Sequence, residues 1–442
     1  MAAALLEQRV LIEQIAMRDF RCFCGEHSAR LAPLTLVVGE NSTGKTSFLA
    51  LVRALWEVAY NDQVPDFKEE PCDLGSFSEI VHRRGGSAAK IEQFEAQLQT
   101  RAADDSDSAS TSLSVIFERK GTAPFPAVRR ISNDKGSIRA EQENGTLRIR
   151  AELKTGSSWR KEVQVRFPQT EVMPLVPLHF AWAMRGDTQK DSERPPEDIE
   201  EFMFDLLHLG LRSHLSPFAS APVRSKPHRI YEPSRPTRDP EGDYIPMYLA
   251  DLARQHPQAW KALRQKLVDF GTAAGLFNEI EIKSLGKHEG RPFQIEVRKR
   301  GKRLSGPWRN LVDVGYGVSQ VLPLVTELMR PDAPSVISLQ QPEVHLHPSA
   351  QAALGSLFCH LSTDRQLIVE THSNFLVDRV RMDIRDERSS LSPDDVSILY
   401  FERNEIDVHI HSIRLDRQGN VIDAPPSYGQ FFMDESARSG QY

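Results

Sequence analysis

Residues 39–46 read Gly39-Glu40-Asn41-Ser42-Thr43-Gly44-Lys45-Thr46, a full match to G-x-x-x-x-G-K-[ST]. The apolar run "LTLVV" before it reads as a strand. Behind it, Phe48, Leu49, Val52, Leu55 and Trp56 recur at helical spacing. A strand, a glycine-rich turn and a helix N-terminus together form a phosphate cradle. The two glycines let the backbone wrap with its N–H groups inward, and the helix end adds partial positive charge. In such a loop Lys45 would bridge the β- and γ-phosphates of a nucleotide, Thr46 would offer its hydroxyl to Mg²⁺, and Ser47 could hydrogen-bond the α-phosphate. The plainer alternative is a glycine-rich turn capped by a lysine.

Working outward, 442 residues with 40% hydrophobic and 26% charged content suffice for one large core or two ordinary ones. No apolar run approaches the ~18 residues of a membrane span, and the charged start "MAAALLEQRVLIEQ" does not read as a signal peptide. A cytoplasmic location is the expectation. Cys22, Cys24, Cys72 and Cys359 lack Cys-x-x-Cys spacing and secreted-scaffold density, so reduced thiols are expected rather than a disulfide or zinc framework. A net charge of −6 excludes a chain-wide nucleic-acid coat and still permits a local basic patch.

Patterning divides the chain into four. Residues 8–84 carry the loop. Residues 85–178 hold alternating runs such as "SLSVIFERKG", "GTLRIRAELKTG" and "KEVQVRF", which predict an antiparallel meander. Residues 179–290 are mainly helical, from "PPEDIEEFMFDLLHLGL" to "MYLADLARQHPQAWKALRQKLVDFG". Residues 291–442 return to strands alternating with helices. This order predicts an α/β P-loop ATPase core carrying a β-rich lobe and a helical insertion.

Four stretches outside the loop carry chemistry. "VDVGYGVSQVLPLV" sets Gly315, Gly317, Ser319 and Gln320 before an apolar helix; Ser319 is either an ordinary N-cap or an anion contact. "QQPEVHLHP" alternates Glu343, His345 and His347, which on a strand would place three metal ligands on one face. "VETHS" sets Glu370 at a strand end beside His372, read either as a satisfied buried histidine or as part of the site. The basic run Arg298, Lys299, Arg300, Lys302, Arg303, with Trp308 nearby, is either a phosphate-binding patch or a solvated hairpin. Arg224 and Arg229 are either loop charges or anion contacts.

Taken together, "FRCFCGEHSARLAPLTLVVGENSTGKTSFLALVRAL", "GYGVSQ", "QQPEVHLHPSAQAAL" and "IVETHSNFLVDRVR" resemble the ABC-type ATPases of the SMC, RecF and OLD group, and among them the bacterial AAA-type ATPases of antiphage defence. The resemblance spans most of the chain but not the insertion from about 86 to 175. It implies ATP and Mg²⁺ as cofactors, with Glu40, Asn41, Ser42 and Thr43 in the phosphate loop. It implies a homodimer or higher oligomer in which Gly317, Ser319 and Gln320 of one subunit face the nucleotide of the other. His372 would sense the γ-phosphate. Gln340 falls where relatives carry the magnesium-associated acid, and Gln341 where they carry the acid that activates water; Glu343 remains a candidate acid. An amide has no protonation equilibrium near neutral pH, so slow hydrolysis is expected, although a glutamine can ligate Mg²⁺ or orient water. Only about 70 residues follow His372, too few for the OLD nuclease domain, so a nuclease or toxin effector would be a separate chain, with DNA a further candidate partner. Competing readings are a DNA-repair or DNA-end-handling ATPase and a P-loop small-molecule kinase.

Overall fold

The computed structural model describes residues 10–61, 64–83, 92–103, 110–143, 145–153, 159–166, 218–234, 237–286, 290–301 and 304–429. By contacts the chain divides into two units, one of residues 1–32, 39–217 and 399–412 and another of 33–38, 218–398 and 413–442.

The first unit is built on an eight-stranded antiparallel sheet. Strands β1 (Val10–Phe20) and β2 (Phe23–Arg30) form a hairpin with Gln14 opposite Arg30 and Phe20 opposite Phe23. The expected meander then continues the same sheet instead of starting another, because β4 (Gln93–Ala102) pairs with β1. Strands β5 (Thr111–Lys120), β6 (Ala123–Ser132), β7 (Gly136–Glu143), β8 (Thr146–Leu153) and β9 (Trp159–Arg166) follow, in the order β2-β1-β4-β5-β6-β7-β8-β9. Strict alternation aims Phe94, Ala96, Leu98, Thr100 and Ala102 of β4 to the buried side. There Phe94 stacks on Phe117 at 4.7 Å between centroids, with Phe67 set edgewise against both.

Helix α1 (Lys45–Trp56) buries far more than one stripe, with Phe48, Leu51, Leu55 and Trp56 fully enclosed. It runs into a π-turn at Glu57–Asn61. Burial pushes the Glu57 carboxyl from its ordinary 4.5 up to about 7, against the pull of Arg53 at 3.5 Å. The folded chain therefore binds this proton more tightly than the unfolded one, and stability is lost as pH rises from about 4.5 through 7. Glu57→Gln should stabilise the protein by on the order of 2–3 kcal/mol more at pH 8 than at pH 4. Urea unfolding at the two pH values checks this, and a pH-independent difference would contradict it. A short helix α2 (Phe77–Ile80), closed by a Ser76–Glu79 capping box, completes this part of the unit.

The second unit holds a parallel sheet. β3 (Leu34–Gly39) lies beside β15 (Gln366–Glu370), which lies beside β14 (Val336–Gln340) and then β10 (Phe218–Ser220). Strands β16 (Val396–Asn404), β17 (Asp407–Leu415) and β18 (Val421–Ile422) follow along the chain, β17 and β18 pairing antiparallel with Arg414 opposite Ile422. Every residue of β3, β14 and β15 is buried, as expected for parallel strands covered on both faces. Helices α3 (Ile245–Gln255) and α4 (Pro257–Ala273) precede a small antiparallel sheet of β11 (Glu279–Ser284), β12 (Phe293–Arg298) and β13 (Arg309–Asn310). Helices α5 (Tyr316–Met329), α6 (Pro348–Leu361) and α7 (Asn374–Arg385) connect the remaining elements. The helix expected over 195–211 lies outside the described residues, as do Lys302 and Arg303. Among the described residues no helix is long and apolar enough to cross a membrane.

Candidate functional site

The phosphate loop leaves β3 at Gly39, whose φ of +142° and close approach to Phe401 admit no side chain: a Cβ there would lie 2.4 Å from the Phe401 carbonyl oxygen. Glu40, Asn41 and Ser42 are exposed at the tip, while Thr43 is buried and its hydroxyl donates to the Glu40 carbonyl at 2.8 Å. Gly44 is left-handed at the start of α1, and a Cβ on it would fall 2.5 Å from Cys22 Sγ. Lys45, 4% exposed, turns its ammonium back over the loop, donating to the Gly39 and Glu40 carbonyls at 3.0 and 2.5 Å. An ammonium resting on neutral carbonyl oxygens can exchange them for phosphate oxygens, a charge-assisted and stronger partner. Thr46 is half-buried, and the Ser47 hydroxyl accepts from Arg21 Nε at 3.3 Å. Arg403 also donates to the Ser42 carbonyl. Neither arginine carries a local sequence signal, since Arg21 reaches the loop from the turn between β1 and β2 and Arg403 from β16.

In the second unit the carboxyl ends of the parallel strands gather the other candidates, as open α/β sheets do. Gln340 and Glu370 are ladder partners, both buried, and Gln341 donates its N–H to the Glu370 carbonyl at 2.9 Å from a left-handed φ of +42°. Glu343 is buried and accepts the His372 N–H at 2.7 Å. Burial raises its carboxyl above the usual range, opposed by hydrogen bonds from His372 and Thr371 and by Arg224. Arg224 is 3% exposed, its Nε and one Nη lack a hydrogen-bond partner, and burial brings its guanidinium down to about 10. A buried guanidinium with unmet donors is suited to an anion, and its burial decides against a solvated loop charge. Gln320 holds that segment, accepting from the Arg224 N–H at 3.3 Å and donating toward the Arg224 and Ser225 carbonyls. Arg229 is instead paired with Asp313 at the surface.

Several expectations change. Ser319 is not an N-cap: Gly315 occupies that place, and Ser319 lies inside the first turn, buried, with its hydroxyl donating back to the Tyr316 carbonyl at 2.9 Å. Gly317 packs so closely that a Cβ would sit 2.8 Å from the His345 carbonyl oxygen. Glu343, His345 and His347 do not line one face of a strand, because the chain turns after Gln340. His345 is left-handed against Tyr316, His347 caps α6, and both are exposed while Glu343 is buried. His372 is exposed rather than a buried structural histidine. In the basic run, Arg298 and Arg300 pair with Glu279, Arg298 also covers Trp308, and Lys299 donates to the Gly275 carbonyl; three of its cations are thus engaged within the chain.

The residues fit the implied groups. Glycines whose Cβ would clash and a lysine on carbonyls suit a polyphosphate. The Thr46 hydroxyl in the first unit and, separately, the paired Gln340 amide and Glu370 carboxylate in the second are hard oxygen donors of the kind Mg²⁺ takes.

A phosphate-binding loop on an α/β scaffold defines a P-loop nucleotide site. Residues 179–378 match the family described as "AAA domain, putative AbiEii toxin, Type IV TA system". That span is less than half of the chain and begins after the loop. Loop and match together support an ATPase of the AAA/ABC type. Curated proteins provide no match. Among solved structures, the chain is similar to the SmcHead bound to the C-winged helix domain of ScpA, at 10% identity and a TM-score of 0.48 over 92% of this chain and 98% of that one. It is also similar to the Smc head domain with an extended coiled coil bound to the C-terminal domain of ScpA derived from Pyrococcus furiosus (10%, 0.44, 96% and 99%), and to the SMC head domain from Thermotoga maritima (13%, 0.34, 91% and 98%). All three TM-scores fall below 0.5, too low to assign an architecture, which stands on strand order and site geometry.

Proposed function

We propose that this chain is an ATP-binding, dimerising ABC-type ATPase that works as a nucleotide-gated sensor or regulator with slow hydrolysis. The observation that carries the reading is the combination of a well-formed phosphate cradle at Gly39–Ser47 with amides, Gln340 and Gln341, at the end of β14. A chain with these two features would hold ATP while lacking a proton acceptor at the two positions where relatives carry one. Binding then outlasts chemistry, and occupancy becomes the signal. Arg224 and the first turn of α5, with Gly317, Ser319 and Gln320, would meet the γ-phosphate of a partner's nucleotide, while Thr46 and Gln340 would hold Mg²⁺. His372, exposed beside Glu343, would report the phosphate's presence. The setting we favour is bacterial antiphage defence, with a separate nuclease or toxin chain as effector and a cytoplasmic location. The description of the matching family, which names a toxin–antitoxin system, is in keeping with that setting.

Mixing two inactive variants tests the cross-subunit site. A two-fold contact uses each patch twice, so Lys45→Ala and Ser319→Arg chains should form heterodimers in which both lesions share one site and the other is intact. ATP should then stabilise the mixture as dimer more than either variant alone, measured by analytical ultracentrifugation. Normal ATP-dependent dimerisation of both single variants, or a mixture no better than its parts, would remove the sandwich.

A further inference from the structure

Outside the phosphate loop, the first unit brings together a thiol, an imidazole and a carboxylate that the nucleotide reading does not use. Cys24, His82 and Asp407 each direct one ligand atom to a common spot, and these atoms lie within 4.8 Å of one another. The three come from β2, from the segment just after α2 and from the start of β17. Main-chain bonds tie the last two to the β1–β2 hairpin: His82 N–H donates to the Asp19 carbonyl of β1 at 2.8 Å, and Val408 N–H to the Cys22 carbonyl of the turn at 3.3 Å.

His82 decides the chemistry. It is 5% exposed, and its Nδ1 lies 2.7 Å from the Arg21 carbonyl oxygen. A carbonyl only accepts, so Nδ1 carries the hydrogen and the lone pair belongs to Nε2. Nε2 is buried without a hydrogen-bond partner. A thiol–imidazole–carboxylate relay needs the carboxylate on one ring nitrogen and the thiol on the other. Here the backbone takes Nδ1, so only Nε2 is left, and one nitrogen cannot serve thiol and carboxylate as the two ends of a relay. Donors converging on one point, with the histidine oriented through its far nitrogen by a backbone carbonyl, make a metal-ligand arrangement.

We propose that Cys24 Sγ, His82 Nε2 and the Asp407 carboxylate bind one divalent transition-metal ion of the zinc class, with water in the fourth position. One sulfur and one imidazole select this class over Mg²⁺ or Ca²⁺. Bonds of ~2.0–2.3 Å put tetrahedral ligand atoms roughly 3.3–3.8 Å apart, so the cluster closes by about 1 Å on loading, within reach of side-chain rotation. The Cys24 thiol gives up its proton to solvent as the sulfur–metal bond forms. The ion would fasten β2 to the strand bearing Asp407. That also steadies the turn carrying Cys22, whose Sγ lies 3.8 Å from the Thr43 carbonyl of the phosphate loop.

The test uses the full chain, reduced and stripped with a chelator, titrated with Co²⁺, then Zn²⁺, with Mg²⁺ as control. One equivalent of Co²⁺ should bind with a thiolate charge-transfer band in the near ultraviolet and tetrahedral visible bands, and Zn²⁺ should displace it. Cys24→Ser, nearly isosteric, should lose the charge-transfer band, and His82→Ala should weaken binding about 100-fold or more. Zn²⁺ should raise the melting temperature of the unaltered chain and not that of Cys24→Ser. Absence of stoichiometric Co²⁺ uptake by the unaltered chain, or a band that survives in Cys24→Ser, overturns the assignment. Should His82→Ala fail to fold by circular dichroism, the sulfur band in Cys24→Ser alone decides.

Discussion

Lys45→Ala is expected to lower ATP affinity by at least about 100-fold, some 2.7 kcal/mol. Two local facts set that size. The Lys45 ammonium is the cation belonging to the loop itself, and it sits buried over the Gly39 and Glu40 carbonyls, so it reaches phosphate without being drawn in from solvent. Alanine removes the charge and leaves those two carbonyl oxygens without their donor, facing the incoming anion. The turn itself should persist, because its shape is held by the left-handed Gly44, the Thr43 hydroxyl on the Glu40 carbonyl and the Phe48 N–H on the Gly44 carbonyl. Equilibrium binding of labelled ATP checks the result, and unchanged affinity would mean that residues 39–46 are a capped turn with no phosphate.

The second large effect is expected from restoring acids at the end of β14. The unaltered chain should turn over ATP far below the ~10 s⁻¹ of an ordinary enzyme. Placing Glu at the position that activates water should raise the rate by about 10²–10⁴, the usual worth of a positioned general base. Gln341 is the position favoured here: its φ of +42° and its N–H on the Glu370 carbonyl fix where its side chain starts. Gln340→Glu should behave differently. It would set a second carboxylate beside its ladder partner Glu370 in a buried strand pair, so that variant should depend more steeply on Mg²⁺ and lose stability without it. Single-turnover hydrolysis across a Mg²⁺ series separates the two. Fast turnover by the unaltered chain would transfer the role to another acid, with Glu343 and Glu370 the nearest candidates.

The phosphate loop was legible in the sequence because everything that defines it is local. Eight consecutive residues, the apolar strand before them and the helical spacing after them carry the whole signal, and backbone conformation over so short a span depends mainly on which residues tolerate it. Gly44 must be glycine where φ is +84°, and Lys45 follows at the helix start. The strand–helix alternation of the last third was legible for the same reason. Position within an element was less so: Ser319 reads as a helix start, yet the helix begins three residues earlier because Gly315 leaves it from an extended conformation. Only the tertiary structure decided what distant segments do to one another. The meander after residue 92 joined the sheet of β1 since its open edge supplied the hydrogen-bonding partner. Burial decided that Arg224 is not a solvated loop charge and left its Nε and one Nη without partners. Cys24, His82 and Asp407 stand far apart in a chain whose cysteines show no ligand spacing, and backbone pairings alone bring their side chains to one point. Local propensity acts over a few residues, whereas burial and convergence arise from pairings hundreds of residues apart, for which no short stretch of sequence holds the energy.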